Sequence, residues 1–344
     1  MMKQATLKID LDTILYNCKH LKCYYKKKMM AVLKDDAYGL GLLKIAEHIK
    51  DEVDMVLVSK IEEIKLLKEN AFNKDILYLN VFDKEDIEIL KRYQVHVIVD
   101  NLSQLEIAKE YNLPFHLKIN CGMNRLGLYK KDTEIAIKKI NKGKYNIKGV
   151  MAHFQDEDKH HESYVRFKKY VEKIKIDNLM IHCHASNSLS TYYENITTHI
   201  RVGIKLYGLG EKNCFLHNAL TLTSPILRIN NVDKGEYVGY DKTYCCKEKG
   251  YLYILPIGYG NGMYKTNNSI VYVDNTFLKQ AGKISMDYAT YFSTKLIKSD
   301  EIIEIFGKKV PLESLAYQNK CSLHEMIVNL KVNKQYIKEK KQDE

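Results

Sequence analysis

Short apolar runs recur along the first 210 residues, at 29–33, 55–58, 76–81, 95–99, 115–119, 147–154, 179–182 and 202–207, with spacers of 13 to 27 residues. Several spacers carry apolar residues at three- and four-residue intervals, as in KIEEIKLLKEN (60–70) and NLSQLEIAKEY (101–111). That is the period of a helix with one buried face. A short apolar run bounded by such helices predicts a strand buried on both faces. Regular strand–helix alternation predicts a parallel sheet with right-handed crossovers. Eight repeats are enough to close a (β/α)8 barrel.

After Leu209 the helical period disappears. Strand-like stretches follow at 222–230, 251–258, 269–273, 281–286, 289–293 and 302–306, separated by Lys-Gly, Asp-Asn and Lys-Ser-Asp turns. The expected fold is therefore α/β, a (β/α)8 TIM-like barrel over residues 1–220 followed by a mostly β domain over 221–344. The first strand can pair with the second domain. The closing stretch KVNKQYIKEKKQDE reads as a solvated tail.

Composition adds few constraints. A length of 344 residues with 45% hydrophobic content supports a sizeable core. The formal net charge of +11 comes from lysines scattered over helical segments, and the densest patch, Tyr24-Tyr25-Lys26-Lys27-Lys28, is short. No nucleic-acid partner is expected from that distribution. A mildly positive field suits anionic cofactors and substrates. No apolar run approaches the ~20 residues of a membrane helix, and MMKQATLKIDLD lacks an apolar leader segment. The expectation is a cytoplasmic protein without a membrane partner. Eight cysteines without a C-x-x-C pair read as reduced thiols.

In a barrel of this kind the reactive groups sit at the C-terminal ends of the strands. Lys34 ends the first run, where partial desolvation favours Schiff-base chemistry. Lys118 and Arg125 lie around the end of the fifth, and His153 ends the sixth. His184, Asn187 and Ser188 follow the seventh; Arg201, Gly203 and Ile204 belong to the eighth. Glycines and small polar residues near the last two strands are where barrels bind phosphate. His182-x-His184 has no matching His and Asp set at other strand ends, so no metal is expected.

MAVLKDDAYGLG, LKINCGMNRLGL, GVMAHFQDED, HASNS, IRVGIKLYGL, GEYVGYDKTY, LPIGYGNGM and AGKISMDYAT occur in that order across both predicted domains. In these segments the chain resembles the alanine racemase family, the fold-type III pyridoxal 5'-phosphate enzymes, from about residue 6 to about residue 315. The resemblance implies an isomerase that interconverts L- and D-alanine for peptidoglycan precursor supply. It implies that Lys34 carries the cofactor and that Tyr38, Ser188 and the backbone of Gly203 and Ile204 hold its phosphate, with Asn187 supporting. Arg201 would face the pyridine nitrogen, and His153 would link Arg201 to the second acid/base, Tyr240. Arg125, oriented by Lys118 (a carbamate in many relatives), and the backbone of Met286 would meet the substrate carboxylate. Tyr259 and Asp287 would narrow the entrance. Tyr240 and Met286 would come from the partner subunit of a homodimer with shared sites.

The chemistry is consistent with those roles. Racemisation requires proton removal on one face and return on the other, hence two bases. Lysine and tyrosine both have ordinary pKa values of about 10 and need tuning toward neutrality. Arginine does not readily give its proton to a pyridine nitrogen. A single-barrel cofactor carrier lacks the β domain. A decarboxylase of this fold type carries an acid or cysteine in place of Tyr240. A broad-specificity, serine or lysine racemase stays open beside the alanine enzyme. Three positions depart from the family pattern: Asn120 and Asn261 replace aspartates, and HEMIVNLKVNKQYI lacks the tyrosine that packs beside the second base.

Overall fold

The computed structural model describes residues 4–154, 160–184, 196–210, 215–265 and 268–338. The chain divides into two compact units, one formed by Cys18–Ala37 with Gly41–Leu206 and the other by Met1–Asn17, Tyr38–Leu40 and Tyr207–Glu344.

The strands introduced in chain order are β1 (Thr6–Asp10), β2 (Lys28–Val32), β3 (Met55–Val58), β4 (Asp75–Tyr78), β5 (His96–Val99), β6 (Phe115–Lys118), β7 (Ile147–Met151), β8 (Met180–His182) and β9 (His199–Val202). Strands β2 to β9 form one eight-stranded sheet in the order β8-β7-β6-β5-β4-β3-β2-β9, every neighbour parallel. The edge strands nearly close on each other, because the Thr198 N–H donates to the Ile181 carbonyl at 2.9 Å. Side chains alternate between the two faces of a strand. Met30, Met55, Leu57, Leu77, Ile98 and Met151 accordingly pack as one inner cluster. The outer layer follows from helical periodicity: Lys130–Lys142 buries Thr133, Ala136, Ile137 and Ile140, one stripe at three- and four-residue spacing.

In the second unit, nine strands form a sheet in the order Arg228–Val232, Gly250–Leu255, Ala289–Ser293, Thr276–Gln280, Ile270–Val273, Ile302–Phe306, Leu220–Pro225, β1 and Asn333–Ile337. β1 runs antiparallel to Leu220–Pro225, with Leu7 opposite Leu222 and Ile9 opposite Leu220, all four buried.

Several expected elements are shifted. The eighth barrel strand is not 202–207 but His199–Val202, and Ile204–Tyr207 is a 3-10 turn. The run at 222–230 is two strands, because Leu220–Pro225 pairs with Ile302–Phe306 while Arg228–Val232 pairs with Gly250–Leu255. The stretch 281–286 is not a strand: Thr276–Gln280 is, and Gly282 with φ +78° ends it. The supposed tail contributes Asn333–Ile337, which pairs parallel with β1. A free edge on β1 offers backbone partners, and an exposed sequence suffices to fill it.

Candidate active site

Immediately after Lys34 the backbone makes a left-handed turn. Asp35, Asp36, Ala37 and Tyr38 have φ between +55° and +62°. L residues resist this conformation by ~1–2 kcal/mol each, so the turn depends on outside anchors. Glu63, only 6% exposed, is one of them. Its Oε1 accepts the Asp36 N–H at 2.7 Å, and its Oε2 accepts the N–H groups of Ser59 at 2.9 Å and Lys60 at 3.1 Å. The Lys60 ammonium pairs with Asp35 at 3.0 Å, and the Asp36 carboxylate accepts the Leu42 N–H at 2.8 Å. These contacts set where the half-buried Lys34 leaves its strand. Sequence reasoning missed Glu63; the available signal was its position as third residue of a helix starting after Lys60, the capping-box spacing.

Lys118, Asn120, Arg125 and His153 line one recess at the ends of β6 and β7. Burial, and then the charges of Arg201, Arg125 and Lys34 against the opposing Asp100, pull Lys118 down to about 8. Burial, and then Arg201 and Arg125, pull His153 to about 3, so its ring is neutral. Asn120 organises the loop below: its Oδ1 accepts the N–H groups of Gly122 and Asn124, and its Nδ2 donates to Asn124 Oδ1 at 2.9 Å. An aspartate could accept but not make that last donation.

Arg201 is buried in β9. NH2 donates to the carbonyls of Ala152 at 2.8 Å and Cys183 at 3.1 Å and lies 3.4 Å from His153 Nδ1. NH1 donates to the His182 carbonyl at 3.0 Å and to His182 Nδ1 at 2.6 Å. Burial lowers Arg201 to about 10, which leaves it protonated at neutral pH. Gly203 and Ile204 open the 3-10 turn that follows, the customary place of a barrel phosphate site. Lys34, Lys118, Arg125, His153 and Arg201 thus form one cation-rich cluster, a donor set that fits a group carrying phosphate and phenolate anions. Asn187 and Ser188 lie outside the described residues.

The second unit carries the rest. Tyr38 is buried edge-on to Tyr207, with ring centroids 6.2 Å apart, and near His324. Tyr240 starts a tight turn in which Asp241 and Lys242 have φ of +58° and +51°, and Asp241 forms an ion pair with Lys283. The tyrosine itself is 68% exposed. The Met286 carbonyl accepts the Gly260 N–H at 2.9 Å, which joins the segments of Tyr259, Met286 and Asp287. A side chain at Gly258 would sit 2.3 Å from that carbonyl, so this approach needs glycine.

The N-terminal domain of alanine racemase matches residues 9–211, and the C-terminal domain matches residues 219–337. The chain belongs to the alanine racemase family. The alanine racemase of Streptococcus equi subsp. equi is 30% identical over 329 residues, 89% of each chain. That of Fusobacterium nucleatum is 31% identical over 299 residues, 82% of this chain and 84% of the relative. Among solved structures, alanine racemase from Acinetobacter baumannii superposes with a TM-score of 0.90 at 23% identity, covering 98% of this chain and 100% of that one. The Bartonella henselae alanine racemase, solved with covalently bound pyridoxal phosphate, gives a TM-score of 0.89 at 25% identity, covering 97% and 99%.

Against the alanine racemase pattern, the two departures in the second unit have structural correlates. Asn261 uses both ends of its amide: Oδ1 accepts the Gly258 N–H at 3.0 Å, and Nδ2 donates to the Lys331 carbonyl at 3.3 Å. The C-terminal segment without the family tyrosine contributes Glu325, Asn329 and Lys331 to the lining of a cavity of about 300 Å³, together with Tyr259, Met263 and Tyr264.

Proposed function

We propose that this protein is a pyridoxal-phosphate-dependent alanine racemase that interconverts L- and D-alanine for peptidoglycan precursor supply. The observation that carries the reading is Arg201, whose donors are fixed by carbonyls and a neutral imidazole, with no carboxylate among its hydrogen-bond partners in the described residues. Bound at Lys34, the cofactor supplies an electron-withdrawing ring that acidifies the substrate Cα–H. The Arg201 guanidinium would hold the ring nitrogen without giving up its own proton, so the bound ring would be a modest electron sink. Such a ring would favour return of the proton at Cα over transamination.

In this reading Lys34 moves the proton on one face and Tyr240 on the other. Arg125, with Lys118 behind it, and the Met286 backbone hold the substrate carboxylate; Tyr38, Ser188, Gly203 and Ile204 hold the phosphate, with Asn187 supporting. Tyr259 and Asp287 narrow the entrance. The β domain, taken as 221–344, supplies Tyr240. Tyr240 and Met286 are 68% and 56% exposed, which supports a homodimer in which each β domain completes the partner's site. The seven described cysteines are all free, which supports a cytoplasmic location. No described helix is long and apolar enough to cross a membrane.

The test is D-alanine formation from L-alanine by native and Tyr240→Phe protein. Native enzyme should racemise alanine. The variant should lose roughly 10²–10⁴ in rate and retain α-proton exchange better for D- than for L-alanine. Equal loss for both enantiomers would refute the two-base assignment.

A further inference from the structure

Three histidines line up behind Arg201 inside the barrel, and two of them, His96 and His116, have no place in the chemistry above. His96 on β5, His116 on β6 and His182 on β8 are all buried. His96 Nδ1 lies 3.1 Å from His116 Nε2, His116 Nδ1 lies 2.8 Å from His182 Nε2, and His182 Nδ1 lies 2.6 Å from Arg201 NH1. We propose that these rings form a one-directional hydrogen-bond chain that holds the Arg201 guanidinium in its donor position.

The direction follows from Arg201. A guanidinium only donates, so His182 Nδ1 must accept and the His182 proton sits on Nε2. That N–H donates to His116 Nδ1, which places the His116 proton on Nε2. His116 then donates to His96 Nδ1, leaving the His96 proton on Nε2 as well. One cation therefore sets three tautomers. A protonated ring anywhere in the chain would face an N–H with an N–H. Burial keeps all three rings neutral, His96 to about 4 and the other two well below the ordinary value. The groups acting on them are His199 and Arg201 for His116 and His182, and Asp75, Lys148 and Lys68 for His96.

Gly149 is an independent sign that this path is built in. β7 lies between β6 and β8, with Gly149 opposite His116 on one side and Met180 on the other. A Cβ at Gly149 would stand 2.5 Å from His116 Nδ1 and 2.6 Å from the Met180 carbonyl. Only a glycine on β7 lets the His116 ring reach across to His182, and φ at this position places no other demand on it. The histidines are positioning residues. They keep the acceptor face of His182 turned to Arg201, which would be repelled by the opposite tautomer. The consequence for the cofactor rests on the reading of Arg201 given above; the chain itself does not.

The experiment is long-range ¹H–¹⁵N NMR of histidine-labelled holoenzyme at neutral pH, assigned by single His→Gln substitutions. His96, His116 and His182 should each be neutral with the proton on Nε2. A cationic ring, or Nδ1–H on His116 or His182, overturns the proposal, and this native measurement decides even where a variant fails to fold. In Gly149→Ala the His182 Nε2–H should exchange with solvent about tenfold faster, the loss of roughly one hydrogen bond. The cofactor's visible band should shift, and kcat should fall with KM little changed. An unmoved His182 signal in folded Gly149→Ala also overturns the chain. Native tautomers as expected, with a moved His182 signal but an unmoved cofactor band, would instead refute the role of Arg201 at the cofactor while supporting the chain.

Discussion

Replacing Glu63 by alanine should unfasten the turn that follows Lys34. The substitution removes the acceptor for three backbone N–H groups at once, those of Asp36, Ser59 and Lys60. The Ser59 and Lys60 contacts form a helix-start cap, worth about 1 kcal/mol. The Asp36 contact joins a charged acceptor to a backbone donor next to the left-handed turn, worth ~1.5–3 kcal/mol. The sum is about 3 kcal/mol. Against it stands a turn of four left-handed residues whose own conformational cost is ~4–8 kcal/mol, so right-handed alternatives become accessible once the anchor is gone. Glu63→Gln keeps one accepting oxygen and turns an amide N–H toward the other donors, so about half that loss is expected. Three measurements read the effect: urea unfolding of the apo-protein, amide exchange at Asp36 to Tyr38, and the rate at which borohydride fixes pyridoxal phosphate to Lys34. Glu63→Ala should be less stable by about 3 kcal/mol, exchange faster at those amides and label Lys34 slowly. A loss below about 1 kcal/mol with native exchange and labelling would refute the anchoring argument.

Mixing inactive Lys34→Ala and Tyr240→Phe proteins should restore part of the activity, since one site of the mixed dimer keeps both groups; no recovery after verified subunit exchange argues against shared sites. Lys118, held at about 8 by burial, has a sizeable neutral fraction in mildly alkaline solution and should react with CO2. ¹³C-bicarbonate should give one carbamate resonance that Lys118→Ala abolishes, and its absence from the native protein would count against the carbamate. His96 and His199 are held at about 4 and His153 at about 3, chiefly by burial. The unfolded chain therefore binds more protons, and their contribution to stability is complete above ~6.5 and lost as pH falls toward 4 and 3. Unfolding midpoints should drop steeply over that window and less steeply in His199→Asn; a flat profile would show that these rings are not buried neutral.

The sequence alone determined the alternation of strand and helix, the change to β texture after Leu209, and the order of motifs that names the family. Those are local properties: an apolar run such as Met55–Val58 or Phe115–Lys118 declares its burial whatever lies beside it. β9 escaped because His199 and Arg201 alternate into the interior, so a buried strand reads as polar. Asn333–Ile337 escaped because an exposed edge strand needs only a partner's backbone, which composition does not reveal. Lys34, Arg201 and Tyr240 stand out as candidates from their motifs alone. Their supports do not. Glu63 reaches the turn across 27 residues, and His182 contacts His116 across 66. Gly149 is an unremarkable strand residue until its neighbours are known. Periodicity records which face of an element is buried; which polar groups meet there depends on register between strands far apart in the chain, and only the tertiary structure decides that.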